Sequence, residues 1–306
     1  LHKQLTEAAD YARKNGVILK GDIPIGIYRN SVDAWVNPEL YNLSKQAGAP
    51  PDDFSEKGQN WGFPTYNWTK MAENGYQWWK DRLQKMAEYF DAFRIDHILG
   101  FFRIWEIPFE SVEGILGYFN PSLAFNEDEI LERGIHFDYD RLCKPYIREH
   151  FIHERFGDLL QEAKDTFLEE FYPGCYAVKP QFNSQRKVAE YLADEPSDTN
   201  AQRMHKERLK HGMFSILAEL IFIPNPYGDK PSYFPRSTLH YTNSFKELDD
   251  HQKNAIHDLY LDYFYKRNEE FWRQQAMIKL PAIKKSTNML ICGEDLGMVP
   301  LVVPDV

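Results

Sequence analysis

The chain has 306 residues, 43% of them hydrophobic and 27% charged, with a formal net charge of -10. That length and apolar content suit one large α/β domain carrying an insertion. The acidic balance argues against nucleic acid as the main partner, which needs a basic face, and no apolar run approaches the roughly 18 residues of a membrane span.

In chain order, Leu5, Ala8, Ala9 and Ala12 share one face of a helix expected over residues 4–15, stopped by Asn15 and Gly16. Val17, Ile18 and Leu19 then read as a short buried strand ending in "KGD", Lys20 to Asp22. Loop sequence rich in proline and glycine follows to about residue 70. Trp79, Leu83, Met86, Ala87 and Phe90 mark a second helix, which leads into an apolar strand over 92–95 that ends on Asp96. A long amphipathic helix is expected over about 253–279, closed by Pro281. It precedes a strand over 289–292 that ends in "GED", Gly293 to Asp295. Continuous apolar strands indicate a covered parallel sheet, and helix–strand alternation indicates βα units. Residues 112–252 lack the strand-to-acid pattern and read as a mainly helical insertion between two barrel portions, 1–111 and 253–306.

The chemistry concentrates where the strands end. Acids at the carboxyl ends of parallel strands are where α/β folds place their sites, although a single such acid is as often the cap of the next helix. Asp96 and Glu294 form a candidate pair of the kind that glycosidic bond cleavage requires. Arg94, two residues before Asp96, points to the same side of its strand, where a guanidinium favours an ionised carboxylate. His97 is a candidate for binding a sugar hydroxyl, against the ordinary reading of a structural histidine. The loop over 48–68 interleaves Phe54, Trp61, Tyr66 and Trp68 with Asp52, Asp53, Gln59 and Asn60. Flat apolar faces beside hydrogen-bonding groups suit a sugar, and they also suit a packed loop.

Other chemistries lack their motifs. Cys143, Cys175 and Cys292 form no CxxC pair, so a disulfide framework and a zinc site are not expected, and a reducing, cytoplasmic setting is. The sequence has no HExxH, no glycine-rich nucleotide loop and no GxSxG elbow, and no metal or cofactor is expected.

Four motifs together resemble glycoside hydrolase family 77, the 4-alpha-glucanotransferases or amylomaltases. They are "GDIPI" at 21–25, "PPDDFSEKGQNWGFPTY" at 50–66, "FRIDHILGFFRIWEIP" at 93–108 and "GEDLG" at 293–297. The long stretch between the second pair of motifs resembles a subgroup with an insertion between nucleophile and acid/base. The resemblance implies a TIM-type (β/α)8 barrel, incomplete in this chain, and a retaining enzyme that transfers α-1,4-glucan segments between maltodextrins or other glucans through a covalent intermediate. Under it, Asp96 matches the nucleophile and Glu294 the acid/base. Arg94 and His97 match residues that bind the sugar at the cleavage point, and Asp22 matches a substrate-contacting acid. Gln59 and Trp61 match acceptor-side positions, and Phe54 an aromatic loop over the cleft. The family's third carboxylate, in a later "HD" motif, has no counterpart up to Val306. With Leu1 rather than Met at the start, the expectation is a piece of a longer enzyme, inactive alone. The alternatives are an α-glucan hydrolase using the same two carboxylates and a non-catalytic glucan-binding protein.

Overall fold

The computed structural model describes residues 1–306. Its first helix, α1 (His2–Lys14), buries only Ala9 and is tied down by Arg13, whose Nε donates to Asp91 Oδ1 at 2.8 Å. The first strand, β1, is Lys20–Ile23 rather than 17–19, and Val17 and Ile18 stand outside it in solvent. The apolar run there misplaces the strand because β1 alternates: Gly21 and Ile23 are buried while Lys20 and Asp22 face outward. Pairing fixes this register. Helix α2 (Gln77–Ala87) packs Trp79 and Leu83, one turn apart, and delivers β2 (Ala92–Ile95), which pairs in parallel with β1 so that Asp22 lies opposite Arg94.

The long helix expected over 253–279 is two helices, α3 (Asp250–Tyr265) and α4 (Glu269–Lys284). Asn268, fully buried at the break, uses its side chain to bind Tyr263 O at 2.8 Å and Leu123 N at 2.7 Å. Pro281 sits inside α4 rather than closing it. Beyond α4 comes β3 (Leu290–Gly293), parallel to β2 on the side away from β1. The result is a three-stranded parallel sheet in which β2 is central and all three strands carry their following residues to the same edge.

A second sheet flanks that edge. Its antiparallel order is Gln59–Asn60, Lys45–Ala49, Ile104–Pro108, Tyr118–Asn120. Gly48 permits its close edge pairing, because a Cβ there would lie 2.0 Å from Gln59 O. In the 112–252 region helices dominate, among them Asn200–Leu217 with a Thr199–Gln202 capping box, and two small antiparallel sheets join them. Packing divides the molecule into three cores. One holds Ile23, Trp79, Phe93 and Phe101 under the parallel sheet. A second, from Ile147 to Leu217, belongs to the 112–252 region alone. The third runs from Phe102 and Trp105 through Phe222 to Trp272, joining that region to the rest. No helix is long and apolar enough to cross a membrane.

Candidate active site

The edge of the parallel sheet collects the candidate residues. Ile95 of β2 and Gly293 of β3 are register partners, so Asp96 and Glu294 are the next residues on neighbouring strands, whose lateral spacing is about 4.8 Å. The two strand exits are laced together. Glu294 N donates to Ile95 O at 3.0 Å, and Ile98 N donates to Glu294 O at 2.8 Å. The Glu294 carboxyl accepts from His97 N at 2.7 Å and, through its other oxygen, from Leu296 N at 2.9 Å.

Arg94 sits between two acids. Its Nη2 donates to Asp96 Oδ1 at 2.6 Å and its Nε to Asp22 Oδ1 at 3.0 Å. The bond to Asp22 is the main reason that the Arg94 pKa lies above its ordinary value, with Asp96 and Glu294 adding to it. Asp22 is brought here by the alternation of β1, which turns it outward at the level of Arg94.

His97 occupies the left-handed region at φ 53°, a conformation that costs a non-glycine residue on the order of 1 kcal/mol. The turn lets its amide face Glu294 while its ring meets the edge of Trp61, at a centroid distance of 5.0 Å. Desolvation, and then the nearby Arg103 charge, lower the His97 pKa from 6.5 to about 4, against the pull of Glu294. The imidazole is therefore neutral at pH 7. Between about pH 4 and 6.5 the unfolded chain binds a proton there that the folded chain does not, so this group costs stability as pH falls through that window. His97→Gln is expected to flatten that part of the stability–pH curve, measured by urea midpoints at pH 4.5 and 7. An unchanged slope would show that His97 does not titrate as its burial requires.

The aromatic loop divides. Trp61 stacks on Phe63 at 5.7 Å, and its indole Nε1 donates to Gln59 Oε1 at 3.0 Å, so Gln59 orients Trp61 beside His97. Tyr66 and Trp68 do not present free faces. They pack with Trp79 and Phe101 in the core beneath the sheet, because the chain turns inward after Pro64. Phe54 is 97% exposed, its backbone held in a turn by Asp52 Oδ1. Phe54→Ala is accordingly expected to change unfolding free energy by no more than about 0.5 kcal/mol, whatever it does to glucan affinity.

Three residues at the site escaped the sequence reading. Phe63 carries Trp61, and Gly26 makes room for it, since a Cβ there would lie 2.1 Å from the Phe63 ring. Arg103 is buried with its guanidinium 4.0 Å from the Phe119 ring centroid and 4.8 Å from that of Trp272, and it donates to Met298 O just beyond Glu294. Lys279, on α4, donates from Nζ to Phe101 O at 2.8 Å, and burial pushes its pKa down to about 7. Neither cation has a sequence signature, because each is identified only by what the fold packs around it. No group of three or more His, Cys, Asp or Glu side chains is arranged to hold a metal ion.

The site places two carboxyls at one sheet edge, with an arginine against one of them and a stacked indole beside His97. Comparison with known proteins points to one family. The glycoside hydrolase family 77 model, described as 4-alpha-glucanotransferase, matches residues 1–306. A 4-alpha-glucanotransferase of Oryza sativa subsp. japonica is 45% identical over 300 residues, covering 98% of this chain and 31% of the relative. A 4-alpha-glucanotransferase of Aquifex aeolicus is 39% identical over 206 residues, covering 65% of this chain and 39% of the relative. The amylomaltase structure of Corynebacterium glutamicum overlays on 38% of this chain and 17% of its own, at 28% identity and a TM-score of 0.37, too low to bear on the fold. The chain thus spans well under half the length of these relatives. Matched along its whole length, the chain belongs to the 4-alpha-glucanotransferases of glycoside hydrolase family 77.

Proposed function

We propose that this chain carries the nucleophile and the acid/base of a retaining 4-alpha-glucanotransferase acting on maltodextrins or related α-1,4-glucans. The observation that carries the reading is the placement of Asp96 and Glu294 at the ends of adjacent parallel strands, laced together through His97 and Ile98. In the first half-reaction an Asp96 oxygen bonds to the anomeric carbon while the glycosidic bond breaks and the leaving oxygen takes a proton from Glu294. In the second, the 4-hydroxyl of an acceptor glucan bonds to the anomeric carbon, gives its proton to Glu294 and releases Asp96. Each Glu294 oxygen accepts one backbone N–H and keeps a lone pair for that proton. Arg94 stabilises the Asp96 carboxylate as leaving group, and Asp22 fixes Arg94. His97, neutral, serves the sugar hydroxyls, while Trp61 and Gln59 receive the acceptor. Phe54 is read as the exposed ring that closes over bound glucan.

The same reading takes the three parallel strands as neighbouring members of a TIM-type barrel. Residues 1–111 and 253–306 then supply barrel units, and 112–252 is the insertion. A reducing, cytoplasmic setting suits the three unpaired thiols. The test is incubation of the full-length protein with maltotriose and glucose. Maltodextrins longer than maltotriose support transfer. A run-down to glucose with a net rise in reducing ends means hydrolysis, because transfer, including transfer of one glucosyl unit to glucose to give maltose, conserves them. Binding without turnover means a glucan-binding protein.

A further inference from the structure

Glu106 lies outside the candidate catalytic cluster, in the middle of the flanking antiparallel sheet, and is completely buried. Its carboxyl is saturated. Oε2 accepts from Thr65 Oγ1 at 2.6 Å and Asn120 Nδ2 at 3.0 Å. Oε1 accepts from Tyr227 OH at 2.5 Å and Tyr118 OH at 3.1 Å. Two donors on each oxygen fill its lone-pair positions, with no cation in hydrogen-bonding contact. Burial beside this carboxyl pushes the pKa values of Tyr118 and Tyr227 upward, so both phenols stay protonated donors. The Lys45 ammonium lies nearby, 5.9 Å and 5.8 Å from the Tyr118 and Tyr227 ring centroids.

A buried carboxyl is costly, and a packed apolar residue would serve stability as well. What distinguishes this one is where its donors come from. Thr65 ends the loop that presents Gln59, Trp61 and Phe63. Tyr118 and Asn120 belong to the neighbouring strand. Tyr227 belongs to the 225–231 loop of the 112–252 region, closed at its base by Asn225 N to Ser232 O at 2.8 Å. The loop is also tied by its backbone to the strand beside Glu106. Glu106 is the register partner of Ala47, which accepts from Trp61 N at 2.9 Å and donates to Phe63 O at 2.8 Å. Through Thr65, Glu106 therefore holds the end of the loop that carries the Trp61–Phe63 stack, while its other three donors, Tyr118, Asn120 and Tyr227, lie in the 112–252 region. Tyr227 is also 38% exposed, unlike buried Thr65 and Tyr118.

We propose that Glu106 is a positioning residue for the acceptor side of the cleft and that Tyr227, donated by the 112–252 region, sets it. The inference rests on the transferase reading for its kinetic consequence but not for its structural one. The test is Tyr227→Phe in the full-length protein, which keeps the ring and removes one donor. Amide hydrogen exchange across residues 59–66 is expected to quicken roughly tenfold, the scale of one hydrogen bond to a charged group. Acceptor KM for glucose is expected to rise by about the same factor, while donor KM for maltodextrin moves less than about twofold. Thr65→Val is expected to reproduce the effect, and the double variant to fall short of the product of the two, because both act through one carboxyl. Unchanged exchange over 59–66, with loosening confined to 225–231, overturns the proposal. Equal shifts in donor and acceptor KM overturn it too, since they mark a general structural loss. If the wild-type protein transfers no glucan, the functional reading fails, and the exchange result alone decides the coupling.

Discussion

Glu294→Gln in the full-length protein is expected to lower glucan transfer by about 10²–10⁴-fold, and Asp96→Asn by at least as much. The isosteric amides keep the backbone lacing of the two strand ends, since Glu294 N and O bind Ile95 and Ile98, although a glutamine Nε2 cannot accept and gives up one of the two N–H bonds from His97 and Leu296. What they remove is chemistry. A glutamine at the first position has no acidic proton to give a leaving oxygen. An asparagine at the second offers an amide in place of a carboxylate to the anomeric carbon. The two losses should differ in kind. With Glu294→Gln and a donor whose leaving group needs no proton, Asp96 can still be glycosylated, and the deglycosylation that lacks a base should let the adduct build up. Mass spectrometry of the peptide containing Asp96 reads that directly. Asp96→Asn should give no adduct with any donor. Turnover at the wild-type rate in either variant would remove the assignment of that residue, and with it the two-carboxylate mechanism.

The largest effect on stability is expected from Trp79→Ala, about 3–5 kcal/mol. Trp79 has no exposed surface, and its ring packs against Trp68, Tyr66, Trp78 and Phe101. The cavity cannot collapse readily, since β2 and the loop from Pro64 to Trp68 are fixed by their own hydrogen bonds on either side. Phe101 ends the short turn that begins at His97, so the loss should also reach the edge that carries Asp96. Equilibrium urea unfolding of the full-length protein measures the cost, with Phe54→Ala as the exposed aromatic control. Equal midpoints for the two variants would show that the cluster beneath the parallel sheet carries little of the stability.

Much of the candidate site was readable because it is built from local pattern. An apolar run that ends on an acid marks a strand exit, and β2 with Asp96 follows that rule. β3 runs one residue later than expected, to Gly293 before Glu294, and is uncovered, with Leu290 67% exposed, because it is an edge strand paired on one side. β1 did not follow the rule, because its outward Lys20 and Asp22 break the apolar run that marks a covered strand, and Val17 and Ile18 supplied a false one. The division between α3 and α4 was equally hidden. It depends on Asn268 binding Leu123, a partner 145 residues away, while the amphipathic period continues across the break. Among the aromatics of the loop, composition could not separate Trp61 from Trp68, since their fates differ only in which side of Pro64 they leave the chain.

The sequence by itself determined which residues have the chemistry to act: two carboxyls at strand ends, an arginine two residues before one of them, and an indole-bearing loop. Periodicity and strand-end pattern are local properties, and they survive without knowledge of partners. Only the tertiary structure decided that β2 lies between β1 and β3, so that Asp22, Asp96 and Glu294 share one edge. It also decided that Glu106 is a junction of four donors rather than an ordinary strand acid, and that Arg103 and Lys279 are buried beside the turn after His97. Register and burial are set by pairing between residues far apart in the chain, where free energy depends on the whole packed neighbourhood rather than on any one segment.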